Sequence, residues 1–294
     1  MKTKEFIIGT RSQQEWGWLL ILDLFFNGTG AGLFLIALML GSLKHMLAGV
    51  ALVFLATIFL FIELSKPANV WRIVLKPGRS WISRGAIGIF IFFAASFLYM
   101  AVLSMQGNGS AIDGTITFGS NHAWQMFMGV IAGCAAVYVA VYHGFLLASM
   151  KSVPLWSNRV LPALFLVYSL LGGLGVLMVF PFALEQQALL FSFFAKIWVG
   201  IMVFGLLMML SFSSIKTITG KVGSLDSAPK NSLPVGHIAL ILATSIFIPI
   251  ISMLYFQQVG GYLILFPLSG LSLLFGAFLL RYSIIKLAVQ RSAV

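Results

Sequence analysis

A chain of 294 residues that is 60% hydrophobic and 9% charged, with a mean hydropathy of +1.04, is not a soluble globular domain, which carries about 25% charged residues. Nor is it disordered, since so apolar a polymer would not stay solvated. A net charge of +11 would suggest nucleic acid in a soluble protein, but here the basic residues sit mostly between apolar runs. Membrane topology and the lipid surface explain that placement, and no nucleic-acid partner is expected.

A spanning helix needs about 20 apolar residues. Eight unbroken runs approach or exceed that length: Trp16–Leu43, Met46–Leu64, Gly85–Met105, Trp124–Met150, Val160–Phe182, Ala188–Phe212, Val235–Phe256 and Tyr262–Leu280. They do not alternate as barrel strands would. The fold predicted is therefore an all-α integral membrane protein with eight transmembrane helices, read as two four-helix bundles, with 1–294 forming one membrane domain. The first sixteen residues are polar and show no cleavable signal. Cys134, the one cysteine, lies inside a run and by itself makes neither a disulfide nor a metal cluster.

Ionisable groups at bilayer depth cost at least about 2.5–3.5 kcal/mol and so carry information. In the first run Trp16, Asp23, Asn27, Gly30 and Phe34 share one helical stripe, the wall of a small polar cavity. A structural hydrogen bond between helices is the other reading of Asp23. Glycines 28 and 32 form a GxxxG pair, which reads as close helix packing rather than a phosphate loop, because no strand precedes it. Glu63 ends the second run on the face where the first begins, either as a proton group or paired with Lys66 or Arg72. Tyr138, Tyr142 and His143 lie toward the same face at the end of the fourth run. There a phenol and an imidazole could both donate to a carbonyl, and the imidazole could exchange a proton near neutral pH. On the opposite face Lys196 reads as a snorkelling cation near Glu185. The four histidines all sit near run ends and supply no mid-membrane pair, so haem is not expected.

Of the 18 Lys and Arg residues, 16 fall on alternate connections: the N-terminus, Ser65–Arg84, Lys151–Arg159, Ser213–Pro234 and the C-terminus. The positive-inside rule then places both termini and these loops in the cytoplasm. A basic face that docks a protein or attracts acidic membrane lipid would leave the same signature.

The segment from Glu63 to Gly85 (ELSKPANVWRIVLKPGRSWISRG) resembles the loop between the second and third helices of the NrfD-type polysulfide reductase membrane subunit family. The stretch Glu15-Trp16-Gly-Trp18 running into Asp23–Gly32 agrees, as do Tyr142–Ser149, Val153–Trp156 and Leu161-Pro162. The resemblance covers helices one to five. It implies a quinone-binding anchor without haem or iron–sulfur cluster of its own, in a bacterial or archaeal cytoplasmic membrane. Such an anchor exchanges electrons between membrane quinone, menaquinone rather than ubiquinone, and a partner 4Fe–4S ferredoxin-like subunit. That partner serves a molybdopterin-type catalytic subunit, and proton translocation can accompany turnover. Carried onto this sequence, Glu15 (where the family often has histidine), Trp16, Asn27, Tyr142 and His143 would hold the quinone. Asp23 and Glu63 would move protons, and Lys66, Pro67, Trp71, Arg72, Arg79 and Trp81 would form the partner-docking loop. The alternative class is a secondary transporter or ion channel using the intramembrane carboxylates, which would need broken helices such as those Pro181 or Pro249 could make.

Overall fold

The computed structural model describes residues 17–63, 80–106, 122–150, 156, 158–180, 199–209, 235–251 and 262–287. Every regular element among them is helical. Five long helices come first: α1 (Trp18–Leu40), α2 (Leu43–Glu63), α3 (Trp81–Gln106), α4 (His122–Ser149) and α5 (Leu161–Val179). α6 is a shorter apolar helix, Val199–Met209. α7 starts at Val235–Leu242, passes through a π-helical turn at Ala243–Phe247 and continues to Ile251. α8 is Tyr262–Tyr282, extended by a second π-helical turn at Ser283–Leu287. Six of these, α1 to α5 and α8, are long and apolar enough to cross a membrane. The eight-span expectation is met by six helices among the described residues. α6 and α7 are shorter pieces of the sixth and seventh runs, and the remainder of both runs lies outside the described residues.

With six such spans this is a multi-pass membrane protein, and its outside agrees. Phe54, Phe61, Phe90, Phe97, Phe127, Phe204 and Phe275 are all exposed, as are many leucines and isoleucines. A soluble monomer rarely tolerates so much contiguous apolar surface, whereas hydrocarbon does not penalise it. The free thiol of Cys134 is on this outer surface.

α1 is the central helix and packs against α2, α4, α5 and α8. It ends at Gly41, whose φ of 67° is the left-handed conformation a glycine adopts without a Cβ penalty. The Ser42 amide returns to the Ala37 carbonyl at 3.0 Å, closing a Schellman-type cap, and α2 begins at the next residue. Just beyond the cap, His45 bridges Ser42 Oγ (2.7 Å) and the Phe180 carbonyl at the end of α5 (3.0 Å).

The apolar interior falls into two clusters. One joins α1 to α2, α3 and α4 through residues such as Phe34, Met46, Val53, Phe92 and Val139. The other joins α1 to α5, α6, α7 and α8 through Leu24, Phe165, Leu171, Met202, Ile246 and Leu273. α1 contributes a face to each. Its glycines permit this: a Cβ on Gly32 would run into the Ser169 backbone of α5, and one on Gly30 would lie 2.6 Å from the Gly49 carbonyl of α2. Gly173 of α5 answers, closing on the backbone of Gly32 and Leu33. The glycine-rich stretches of the first and fifth runs are thus two sides of one close helix crossing.

Candidate functional site

Asp23 stands in the second turn of α1 and is fully buried, as is Asn27 one turn further on. The four-residue spacing stacks them on one face, and Asn27 Nδ2 donates to Asp23 Oδ1 at 3.5 Å. The other carboxylate oxygen, Oδ2, lies 3.3 Å from Nε2 of His143 on α4. Burying a lone carboxylate is costly, so the imidazole and the amide offset the desolvation of Asp23. A carboxylate and an imidazole at this distance interact as an ion pair or as a hydrogen bond between two neutral groups.

Tyr142 precedes His143, and the two rings are in contact, with centroids 3.8 Å apart. One helical turn earlier, Tyr138 stacks on Tyr142 at 6.3 Å with the planes 11° apart. Two glycines of α3 make room for these phenols. A Cβ on Gly85 would collide with the Tyr142 ring, and one on Gly88 with the Tyr138 ring. The result is a line of polar side chains, Tyr138–Tyr142–His143–Asp23–Asn27, running from the half-buried α3–α4 boundary to the middle of α1. At its inner end Asn27 Oδ1 is buried with no hydrogen-bond donor among the described residues. An unfilled acceptor in such a place can serve a ligand's O–H.

The fold therefore brings together Asp23, Asn27, Tyr142 and His143 from the residues expected at the site. Gly30 and Phe34, on the same sequence stripe, serve packing instead: Gly30 meets α2, and Phe34 meets Phe92 edge-on at 5.2 Å. Trp81 opens α3 rather than standing in a loop, and its ring stacks on Phe145 of α4 at 5.7 Å. Glu63 is the last residue of α2, and its side chain lies outside the described set. Glu15, Trp16, Lys66, Pro67, Trp71, Arg72 and Arg79 lie outside the described residues, as do Glu185 and Lys196. The His143 ring faces Asp23, and His237 Nδ1 lies 3.5 Å from Ser283 Oγ, so these two imidazoles face other partners than each other.

Arg281 departs furthest from the sequence expectation. Arg281, which the charge pattern assigns to the basic C-terminal face, is completely buried in α8. It donates to two backbone carbonyls and to Ser169. A signal was available: Tyr282-Ser-Ile-Ile carries the apolar character past Leu280, so the helix need not end there. Two further polar side chains attend the π-helical turns. Ser272 donates to the Thr244 carbonyl freed by the first, and Trp156 Nε1 to the Ile284 carbonyl at 2.9 Å in the second.

The family model described as polysulphide reductase, NrfD, matches residues 7–293. The protein is 24% identical over 177 residues to the C subunit of polysulfide reductase from Wolinella succinogenes, covering 54% of this chain and 56% of that protein. It is also 24% identical over 203 residues to protein NrfD of Escherichia coli K12, covering 59% and 61% respectively. The chain thus spans rather more than half the length of the relatives it matches.

Proposed function

This chain belongs to the NrfD polysulphide reductase family, and from that premise we propose that it is the quinone-reactive membrane anchor of a respiratory oxidoreductase complex. The observation that carries this reading is the Asp23–His143 pair, buried between α1 and α4 with the Tyr142 ring against it. Quinone supplies two-electron, two-proton chemistry at its ring oxygens. The residues present suit those oxygens: a phenol that donates, an imidazole–carboxylate pair that holds a transferable proton, and in Asn27 Oδ1 an acceptor without a donor among the described residues. Tyr142 orients the ring oxygen, His143 and Asp23 hold and pass the proton, and Asn27 accepts from a hydroxyl. Glu15 and Trp16 are assigned as further quinone contacts and Glu63 as a proton group, by their match to the family's motifs.

In this reading all eight apolar runs span the membrane as one domain of two four-helix bundles, the first four runs and the last four. The bilayer is a bacterial or archaeal cytoplasmic membrane, with both termini and the basic loops in the cytoplasm. The loop containing Lys66, Pro67, Trp71, Arg72 and Arg79, with Trp81 beside it, docks a ferredoxin-like 4Fe–4S subunit. A molybdopterin-type subunit beyond it carries the terminal chemistry, the quinone is menaquinone, and turnover is coupled to proton movement. The test replaces Asp23 with Asn and Tyr142 with Phe and measures quinol-linked electron transfer in the assembled complex. Loss of a general acid or base costs about 10²–10⁴ in rate. We expect Asp23→Asn to fall in that range and Tyr142→Phe to lose about tenfold or more. Full rates in both variants would remove the cluster from quinone chemistry.

A further inference from the structure

A groove of about 320 Å³ lies along α3 and α4, lined by Arg84, Ile87, Gly88, Ile91, Ala135 and Tyr138. Apart from Arg84, in the first turn of α3, and the Tyr138 hydroxyl, that lining is hydrocarbon. Ile91 is 49% exposed, on the surface that meets lipid. Tyr138, half-buried, stacks on Tyr142, which is 4% exposed and touches His143. Two stacked rings therefore stand between the groove and the buried Asp23–His143 pair. The trough that seats them is backbone: Gly85 and Gly88 are one turn apart on α3, and a Cβ on either would run into the ring beside it. Rotation of Tyr138 out of its seat leaves a slot floored by glycine that leads from Ile91 to Tyr142, and a rotamer change of a partly exposed side chain needs no movement of the helices.

We infer, granted the quinone reading, that this groove is the lateral mouth of the quinone site, with Tyr138 as its gate and Ile87, Ile91 and Ala135 as the seat of the isoprenoid tail. Continuity with the buried pair argues for that occupant over a phospholipid acyl chain. A chain without a reactive head has no need of a passage to His143, whereas a quinone dissolved in hydrocarbon reaches a buried site by passing between helices. Lipid solvates the tail about as well as the groove does, so the groove governs passage more than affinity.

The test uses the full-length protein in phospholipid vesicles, with menaquinone as the tailed probe and a methylnaphthoquinone as the same ring without a tail. The one native thiol is removed by Cys134→Ser. Ile91→Cys then places a thiol in the groove, and Phe90→Cys places one beside it on the exposed surface, outside the lining. At about ten times its Kd, menaquinone should slow labelling of Ile91→Cys by a membrane-soluble maleimide about tenfold. Phe90→Cys should be unaffected, and the ring without a tail should protect neither. Ile91→Trp, which narrows the mouth, should slow uptake and release of menaquinone equally, by about tenfold, and leave Kd unchanged. Tyr138→Ala should speed both. Equal labelling of the two thiols with and without menaquinone, or native exchange rates in Ile91→Trp, would overturn the inference. An Ile91→Cys thiol already protected before menaquinone is added would assign the groove to an acyl chain. The two readings fail separately: a wild-type protein that binds no menaquinone overturns both, whereas binding that weakens in Tyr142→Phe but leaves Ile91→Cys unprotected overturns the mouth alone.

Discussion

The Arg281 guanidinium fills the space that Gly28 leaves open on α1: a Cβ at Gly28 would collide with Arg281 Nη2 and lie 2.6 Å from Ser169 Oγ. From that seat Nε donates to the Leu24 carbonyl of α1 at 2.9 Å, Nη1 to the Ala277 carbonyl at 2.9 Å and Nη2 to Ser169 Oγ of α5 at 3.2 Å. The rings of Phe25 and Phe165 approach within 6.0 and 5.8 Å. One fully buried cation thus ties the last long helix to the first and the fifth.

That geometry needs a planar fork, which an ammonium cannot supply. Hydrogen bonds from charged donors contribute about 1.5–3 kcal/mol each. Arg281→Lys should therefore destabilise the protein by at least that much, read from unfolding in detergent. Gly28→Ala should cost about 1–3 kcal/mol through overpacking against the same group. A lysine variant as stable as the native protein would show that the fork is not what holds α8.

The Asp23–His143 pair is open to a double-mutant cycle. His143→Ala leaves a buried carboxylate without its partner and should cost about 3–5 kcal/mol. Adding Asp23→Asn removes the orphaned charge and should restore more than 1 kcal/mol of that loss. Strictly additive effects would mean that the two groups do not interact energetically.

Gly85 and Gly200 make a matched comparison. At Gly85 a Cβ would press into the Tyr142 ring, while at Gly200 of α6 nothing among the described residues lies within 4 Å. Gly85→Ala should cost about 1–3 kcal/mol and slow quinol-linked electron transfer by displacing Tyr142 from His143. Gly200→Ala should be neutral or stabilise by about 0.5–1 kcal/mol, the ordinary helical preference for alanine. The two variants can be compared in one thermal-unfolding series with parallel rate measurements. Equal behaviour would show that the tyrosine seat tolerates a methyl group.

Topology offers a fourth test. With the basic residues concentrated on and beside alternate connections, a reporter fused to the C-terminus should report from the cytoplasm. A reporter active only outside would reverse the orientation and move the docking face with it.

The amino-acid sequence alone determined that the protein is helical and crosses a membrane, because in hydrocarbon each backbone polar group must find its partner within its own segment. Length and hydropathy then suffice, and they located α1 to α5 and α8 to within a few residues. The sequence also exposed Asp23 and Asn27, since a polar atom in an apolar run is costly enough to be noticed, and it placed Tyr142 and His143 at a matching level. What it left open was which groups meet. His143 is 120 positions from Asp23, and many helix arrangements satisfy the same hydropathy. The crossings are selected by where glycines allow backbones to touch, at Gly32 against Ser169 and at Gly85 against Tyr142. Arg281 shows the limit most plainly. A cation at the end of an apolar run can reach back to water or turn inward, and its local sequence is the same in both cases. Only the vacancy beside Gly28, together with carbonyls on two helices, makes the inward position the lower in free energy.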